Sequence, residues 1–147
     1  MPELIHSVEI AAPPSAVFPL LSLPEGLAKW WAEDVVPVDG GAELGFFSRA
    51  TIYRLRALTL VPPTTAAWLC ETGQEWEGTR IVFHIAPKTG MTDLRFRHEG
   101  WRAVSPFFVA CNTTWGALLF RLKGAAEGGA PGPLFTREGL ASGTKGP

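Results

Sequence analysis

Between residues 51 and 99 the chain runs through successive segments in which apolar and polar side chains alternate, and soon afterwards Ser105-Pro106 opens one long amphipathic stretch. Period-two alternation marks strands with one wet and one covered face, whereas three- and four-residue spacing marks a helix. Ala66, Trp68 and Cys70 share one strand face. Ile81, Phe83 and Ile85 oppose Arg80, Val82 and His84, and Leu94, Phe96 and His98 oppose Arg95, Arg97 and Glu99. The antiparallel sheet so implied is solvated on one side and covered on the other. Its cover is the stretch over residues 106–127, with Ser105 as cap, Pro106 in the first turn and a stripe of Phe108, Cys111, Trp115, Leu118, Leu119 and Leu122.

Such a helix is about 33 Å long and about 10 Å across, whereas six or seven strands about 4.8 Å apart make a sheet about 30 Å wide. One helix cannot cover that sheet, so the sheet curls around it, and the space left over is either closed by other elements or kept as a pocket. The N-terminal third supplies the closure. Residues 4–10 alternate as an opening strand ended by Pro13-Pro14, Ser15 is placed to cap a short helix over residues 16–21, and Pro24-Glu25-Gly26 breaks it. A second short helix then carries Trp30 and Trp31. Neighbours on a helix point about 100° apart, so these two indoles are not expected to share one buried face.

Asp39-Gly40-Gly41 signals a turn before strand runs at residues 44–48 and 51–61, Pro62-Pro63 forces another, and a polar loop over residues 73–78 presents Trp76. The expected fold class is α+β: a curved antiparallel sheet wrapped around a long C-terminal helix, with two short helices between the first two strands. Residues 1–129 form its single domain. Residues 130–147 are a Gly/Pro-rich tail, extended or mobile by composition, in which Leu134, Phe135 and Leu140 are able to dock locally.

Thirteen basic residues against fourteen acidic ones leave a net charge of −1, which gives no field for nucleic acid or an anionic membrane. No apolar run reaches the roughly 20 residues that span a bilayer and the N-terminus carries no secretion signal, so a cytoplasmic location is expected, with Cys70 and Cys111 as reduced thiols. Arg54, Arg56, Arg80, Arg95 and Arg97 fall on the outer face near Glu71, Asp93 and Glu99, a pattern of cross-strand ion pairs rather than of an anion site. Histidines and cysteines lack close ligand spacing, and no nucleotide motif is present, so neither metal nor cofactor is expected.

His98 is the strongest inward polar candidate. It reads either as a core histidine bonded to its surroundings or as an acid or base orienting a ligand oxygen. His6 is a weaker case of the same kind, and His84 faces solvent. Trp31, Trp76 and Trp101 fall at element ends, where an indole can wall a pocket, and Tyr53 alternates inward. Trp68 and Trp115 lie on apolar stripes that suit either core or ligand contact. With Phe83, Phe96 and Cys111 from the same inner faces, these residues and His98 form the candidate ligand-binding set. No catalytic constellation accompanies them; His98 is the one residue an enzyme would draw on.

Gly26-Leu27-Ala28-Lys29-Trp30-Trp31, Trp76-Glu77-Gly78-Thr79, Phe96-Arg97-His98-Glu99-Gly100-Trp101, and Cys111 followed by Trp115-Gly116 and Leu122-Lys123 together resemble the SRPBCC (START/Bet v 1-like) superfamily. Within it the chain is similar to bacterial relatives of the C-terminal domain of the activator of the heat-shock protein 90 ATPase, from Leu4 to Gly132. The resemblance implies a helix-grip fold with a hydrophobic cavity between helix and sheet, in a superfamily that includes lipid carriers, polyketide aromatases and cyclases, and chaperone partners. The function expected is binding of a small apolar or aromatic molecule. The alternatives are a cyclase or dehydratase using His98 for proton transfer, or a chaperone-associated regulatory module, and homodimerisation through an edge strand is compatible with the pattern.

Overall fold

A computed structural model describes residues 1–141. The alternation becomes a seven-stranded antiparallel sheet. β1 (Leu4–Ile10), β2 (Asp34–Val38), β3 (Gly41–Phe46), β4 (Thr51–Val61), β5 (Thr65–Cys70), β6 (Arg80–Lys88) and β7 (Met91–Glu99) lie in the order β1-β7-β6-β5-β4-β3-β2. Strands β2 to β7 are therefore sequential neighbours, and β1 closes on β7 with Leu4 opposite His98 and Ile10 opposite Thr92. Register sets the inner face: Trp68 lies opposite Ile81, Ile81 opposite His98 and Phe83 opposite Phe96. A bulge between Ala57 and Thr59 shifts the pairing of β4 with β5 and adds the local twist that helps the sheet curl.

Helix α3 (Pro106–Ala126) fills the concave side. Ser105 accepts a hydrogen bond from the Phe108 N–H at 3.1 Å, and Cys111, Trp115, Leu118, Leu119 and Leu122 form its buried stripe. The far end of the helix is tied to the free edge of the sheet. Lys123 donates to the Glu9 carbonyl at 2.8 Å and Glu127 accepts from the Ala11 N–H at 2.7 Å, which shields β1 from pairing with another strand.

The closure between β1 and β2 consists of α1 (Pro14–Ser22) and α2 (Pro24–Leu27). They approach closely at Gly26, where a Cβ would lie 2.0 Å from the Pro19 carbonyl oxygen. The C-terminal carbonyls of α1 have no partner within the helix and are sealed by indoles. Trp30 donates to the Leu20 carbonyl at 2.8 Å and Trp68 to the Leu21 carbonyl at 2.9 Å. Trp30 thus ties the closure to itself, and Trp68, from β5, anchors it to the sheet.

Several expectations are corrected. Ser15 lies inside α1, and Pro13 holds the cap position without a side-chain bond. Helix α2 ends at Leu27, so Trp30 and Trp31 occupy a turn. Freed from helical geometry, both are buried and their rings stack at 5.5 Å. Strand β2 occupies residues that gave no strand signal. Its Pro37 is tolerated because β2 is an edge strand.

Part of the Gly/Pro-rich segment adds structure: β8 (Phe135–Thr136) and β9 (Gly139–Leu140) form a small hairpin. Leu134 is buried, Phe135 half-buried and Leu140 exposed, while residues 142–147 of the expected tail lie outside the described residues. Among the described residues no helix is long and apolar enough to cross a membrane.

On the convex face Arg56 pairs with Glu71 at 2.9 Å, Arg54 with Glu43 at 3.2 Å, Arg97 with Glu3 at 2.9 Å and Arg95 with Asp93 at 3.2 Å. Arg80 reaches Glu99 at 3.9 Å. The arginines are thus neutralised by neighbours on a solvated face, where each pair adds little stability.

Candidate functional site

Where the sheet curls away from the N-terminal half of α3, it leaves a cavity of about 640 Å³. Helix α3 supplies Phe107, Ala110, Cys111, Thr114, Trp115 and Leu118, one continuous face at helical spacing. The β3–β4 hairpin supplies Phe46 to Tyr53 apart from Ser48 and Arg49, and the loop between β5 and β6 supplies Gly73, Gln74 and Trp76. Trp31 and Phe135 complete the wall. None of the lining side chains carries a charge.

The aromatic wall is ordered by contact between rings. Trp76 stacks on Tyr53 with centroids 4.4 Å apart and a 21° interplanar angle, and lies nearly parallel to Trp115 at 6.1 Å. Trp31 meets Trp115 at 5.0 Å. Stacked in this way, Trp76 has its faces engaged by neighbouring rings. The loop carrying it is fixed at both ends: Ser105 bonds the Glu75 carboxylate, and the Trp76 carbonyl accepts from the Thr79 hydroxyl at 2.6 Å. Gly73 permits the stack, since a Cβ there would come within 2.6 Å of the Tyr53 ring and its φ is +113°.

Behind the wall lies a buried polar chain. The Trp115 indole N–H donates to Nδ1 of His98 at 3.1 Å. Nδ1 is therefore an acceptor, and the proton of the neutral ring sits on Nε2, which lies 2.8 Å from the Thr79 hydroxyl. Thr79 in turn donates to the Trp76 carbonyl. Burial holds the His98 pKa down at about 3, so the ring is neutral at ordinary pH. Burial also pushes the Cys70 thiol and the Tyr53 phenol up to about 12, the latter helped by Cys111, Cys70 and Glu75. The Cys111 thiol is raised by burial, with the neighbouring Trp76 indole N–H working against that shift.

Of the residues singled out from the sequence, Trp31, Tyr53, Trp76, Cys111 and Trp115 are brought together on the cavity wall. The other five are not. Trp68 faces α1, Phe83 packs against Trp30, and Phe96 lies beneath Trp115 at 4.4 Å. Trp101 packs against Phe108 and His98. His98 itself is fully buried and does not line the cavity, so it holds the wall and has no access to a ligand proton. His6 is half-buried against Phe96 on the inner face, its Nε2 without a partner among the described residues, and His84 is exposed.

Lining residues absent from that set include Phe46, Phe47, Phe107, Thr114 and Phe135. The helical ones were legible from Cys111 and Trp115, because Ala110, Thr114 and Leu118 share their face. Phe135 was legible only as an apolar residue able to dock locally in a segment that reads as tail, with nothing to place it at the cavity.

A family model described as Activator of Hsp90 ATPase homolog 1-like protein matches residues 11–127. Among solved structures, the Aha1 dimer from Colwellia psychrerythraea is 30% identical, with 88% of this chain and 98% of that chain covered and a TM-score of 0.76. Protein CV1439 from Chromobacterium violaceum is 24% identical over 85% and 96% of the two chains, with a TM-score of 0.68. CalU16 from Micromonospora echinospora is 17% identical over 88% and 68%, with a TM-score of 0.70. These last two likenesses speak for the helix-grip fold alone. No curated protein matches the chain.

Proposed function

The chain belongs to the family of Activator of Hsp90 ATPase homolog 1-like proteins, and on that footing we propose that it binds a small uncharged aromatic molecule between sheet and α3 without transforming it. The observation that carries this reading is the cavity of about 640 Å³ with an aromatic, chargeless wall. Its volume falls within the roughly 300–1,000 Å³ common for small-molecule sites. An ion entering it would lose hydration with no opposite charge on the wall to replace it, whereas an apolar ring gains burial. A catalytic reading finds no support at the wall, since Cys111 is held protonated and His98 is sealed behind Trp115.

Fluorescence titration with the neutral probe N-phenyl-1-naphthylamine and its anionic relative 1-anilinonaphthalene-8-sulfonate tests this. The neutral probe is expected to bind at least about tenfold more tightly, a difference of about 1.4 kcal/mol. Thr114→Phe, which places a ring in the cavity, is expected to abolish binding while far-ultraviolet circular dichroism stays unchanged. Absence of neutral-probe binding, or indifference to Thr114→Phe, overturns the reading.

The similar Colwellia protein is a dimer, and a homodimer is the state proposed for this chain. Light scattering that returned the monomer mass across micromolar concentrations would remove that part.

A further inference from the structure

Residues 131–141 lie beyond the stretch matched by the family model and form a short strap running from the Trp30-Trp31 turn to the β3–β4 loop, with Phe135 on the cavity wall. We infer that this strap gates the cavity, and that Phe135, paired with Phe47, determines which molecules pass. The inference rests on the cavity-binding reading and adds to it the path of entry.

The strap is anchored on one side. The N–H groups of Leu134 and Phe135 donate to the carbonyls of Trp30 and Trp31, each at 3.0 Å, and the Glu33 N–H donates to the Phe135 carbonyl at 2.8 Å. Leu134 is buried, and Arg121 reaches the carbonyls of Pro131 and Gly132. The backbone of the strap thus holds the turn that carries Trp31.

Its other side is looser. Phe135 meets Phe46 edge-on at 5.1 Å and Phe47 edge-on at 6.3 Å, and all three line the cavity. Between strap and hairpin loop the polar link is a long 3.5 Å contact from the Ser48 hydroxyl to the Arg137 carbonyl. Phe47 is 53% exposed. It begins a run of three non-glycine residues, Phe47, Ser48 and Arg49, whose φ angles are 54°, 55° and 69°. Left-handed backbone costs about 1–2 kcal/mol for each such residue, so this loop has relaxed alternatives close in energy. A rim of ring edges on a strained loop, facing a strap anchored on its far side, opens by parting Phe135 from Phe47 while Leu134 stays buried. Neutral planar molecules can slide between such edges.

Cys111, inside the cavity, reports access without any assumption about a ligand, and the fully buried Cys70 reports global opening. Alkylation by N-ethylmaleimide, followed by peptide mass spectrometry, is expected to rise at least fivefold at Cys111 in Phe135→Ala and in Phe47→Ala. The rate at Cys70 should stay at its wild-type value. Leu140→Ala, an exposed strap residue off the cavity wall, is expected to change neither. A Cys111 rate equal to wild type in both phenylalanine variants, or a parallel rise at Cys70, overturns the gate. If N-phenyl-1-naphthylamine does not bind the wild type while Cys111 labelling rises as expected, the binding reading fails and the gate stands.

Discussion

Nδ1 of His98 accepts the indole N–H of Trp115 at 3.1 Å, and this bond fixes both the tautomer of the imidazole and the pose of the tryptophan. Protonating Nδ1 would break it and place a charge in the core. The ordinary histidine value is 6.5 and the folded value about 3, so between these limits the unfolded chain binds a proton that the native state refuses. Stability contributed by His98 is therefore complete above pH 6.5 and declines as the pH falls toward 3, by at most about 1.4 kcal/mol per unit. Urea unfolding of wild type and His98→Gln at pH 7, 6 and 5 checks this. The wild type should lose stability more steeply, by close to one proton. Parallel pH dependences would mean that His98 titrates normally in the folded protein.

The indole N–H groups divide into those that finish α1 and those that do not. Trp68 satisfies the Leu21 carbonyl, whereas the Trp76 N–H satisfies no backbone carbonyl among the described residues. Replacing either by Phe removes similar volume, but Trp68→Phe also leaves a buried carbonyl short of a donor, costing about 1–3 kcal/mol. Trp68→Phe is expected to be the more destabilising by at least about 1 kcal/mol. Equal losses in denaturant unfolding would show that the Trp68 bond contributes nothing net.

The sheet and α3 were legible because period two and period 3.6 depend on each residue's own neighbours, and Ser105-Pro106 is a local start signal. Even the inward direction of Tyr53 and Cys111 followed from alternation and helical phase. The inner face, however, is larger than the cavity. Phe83, Phe96 and His98 point inward as Tyr53 does, and only the path of the curled sheet decides that they meet core and Tyr53 meets empty space. The Trp30-Trp31 pair was misread because helical phase was extended past Leu27 into a turn. Strand β2 and the strap are held by tertiary contacts, β2 by Arg49 on Asp34 and the strap by backbone bonds to the Trp pair; composition gave β2 no signal and marked in the strap only the apolar Leu134, Phe135 and Leu140 as able to dock, not where.

Gly73 carries a prediction that couples stability to the cavity. A methyl group there would press on the Tyr53 ring at 2.6 Å, and φ of +113° is a region essentially reserved for glycine. Gly73→Ala is expected to cost about 1–3 kcal/mol and to displace Tyr53 from Trp76. Binding of N-phenyl-1-naphthylamine should weaken along with the thermal midpoint. An unchanged midpoint would contradict the close packing of loop and ring.

The left-handed run at the cavity mouth makes a prediction of opposite sign. Ser48 sits at φ 55° between two residues of the same hand, and among the described residues its hydroxyl makes only the long contact to Arg137. Glycine removes the left-handed penalty of about 1–2 kcal/mol and gives back about 0.5–1 kcal/mol through the greater freedom of the unfolded chain. Ser48→Gly should therefore stabilise the protein by about 0.5–1 kcal/mol, raising the melting midpoint by about 1–4 °C for a chain of this size. Arg49 would not behave in the same way, because its guanidinium holds Asp34 and Glu43. Differential scanning calorimetry of Ser48→Gly beside Ser7→Gly, on the exposed face of β1, separates the effects. The strand variant should lose stability, since glycine there keeps the entropic cost without relieving strain, whereas a loss at Ser48 would mean that the loop does not adopt left-handed backbone in solution.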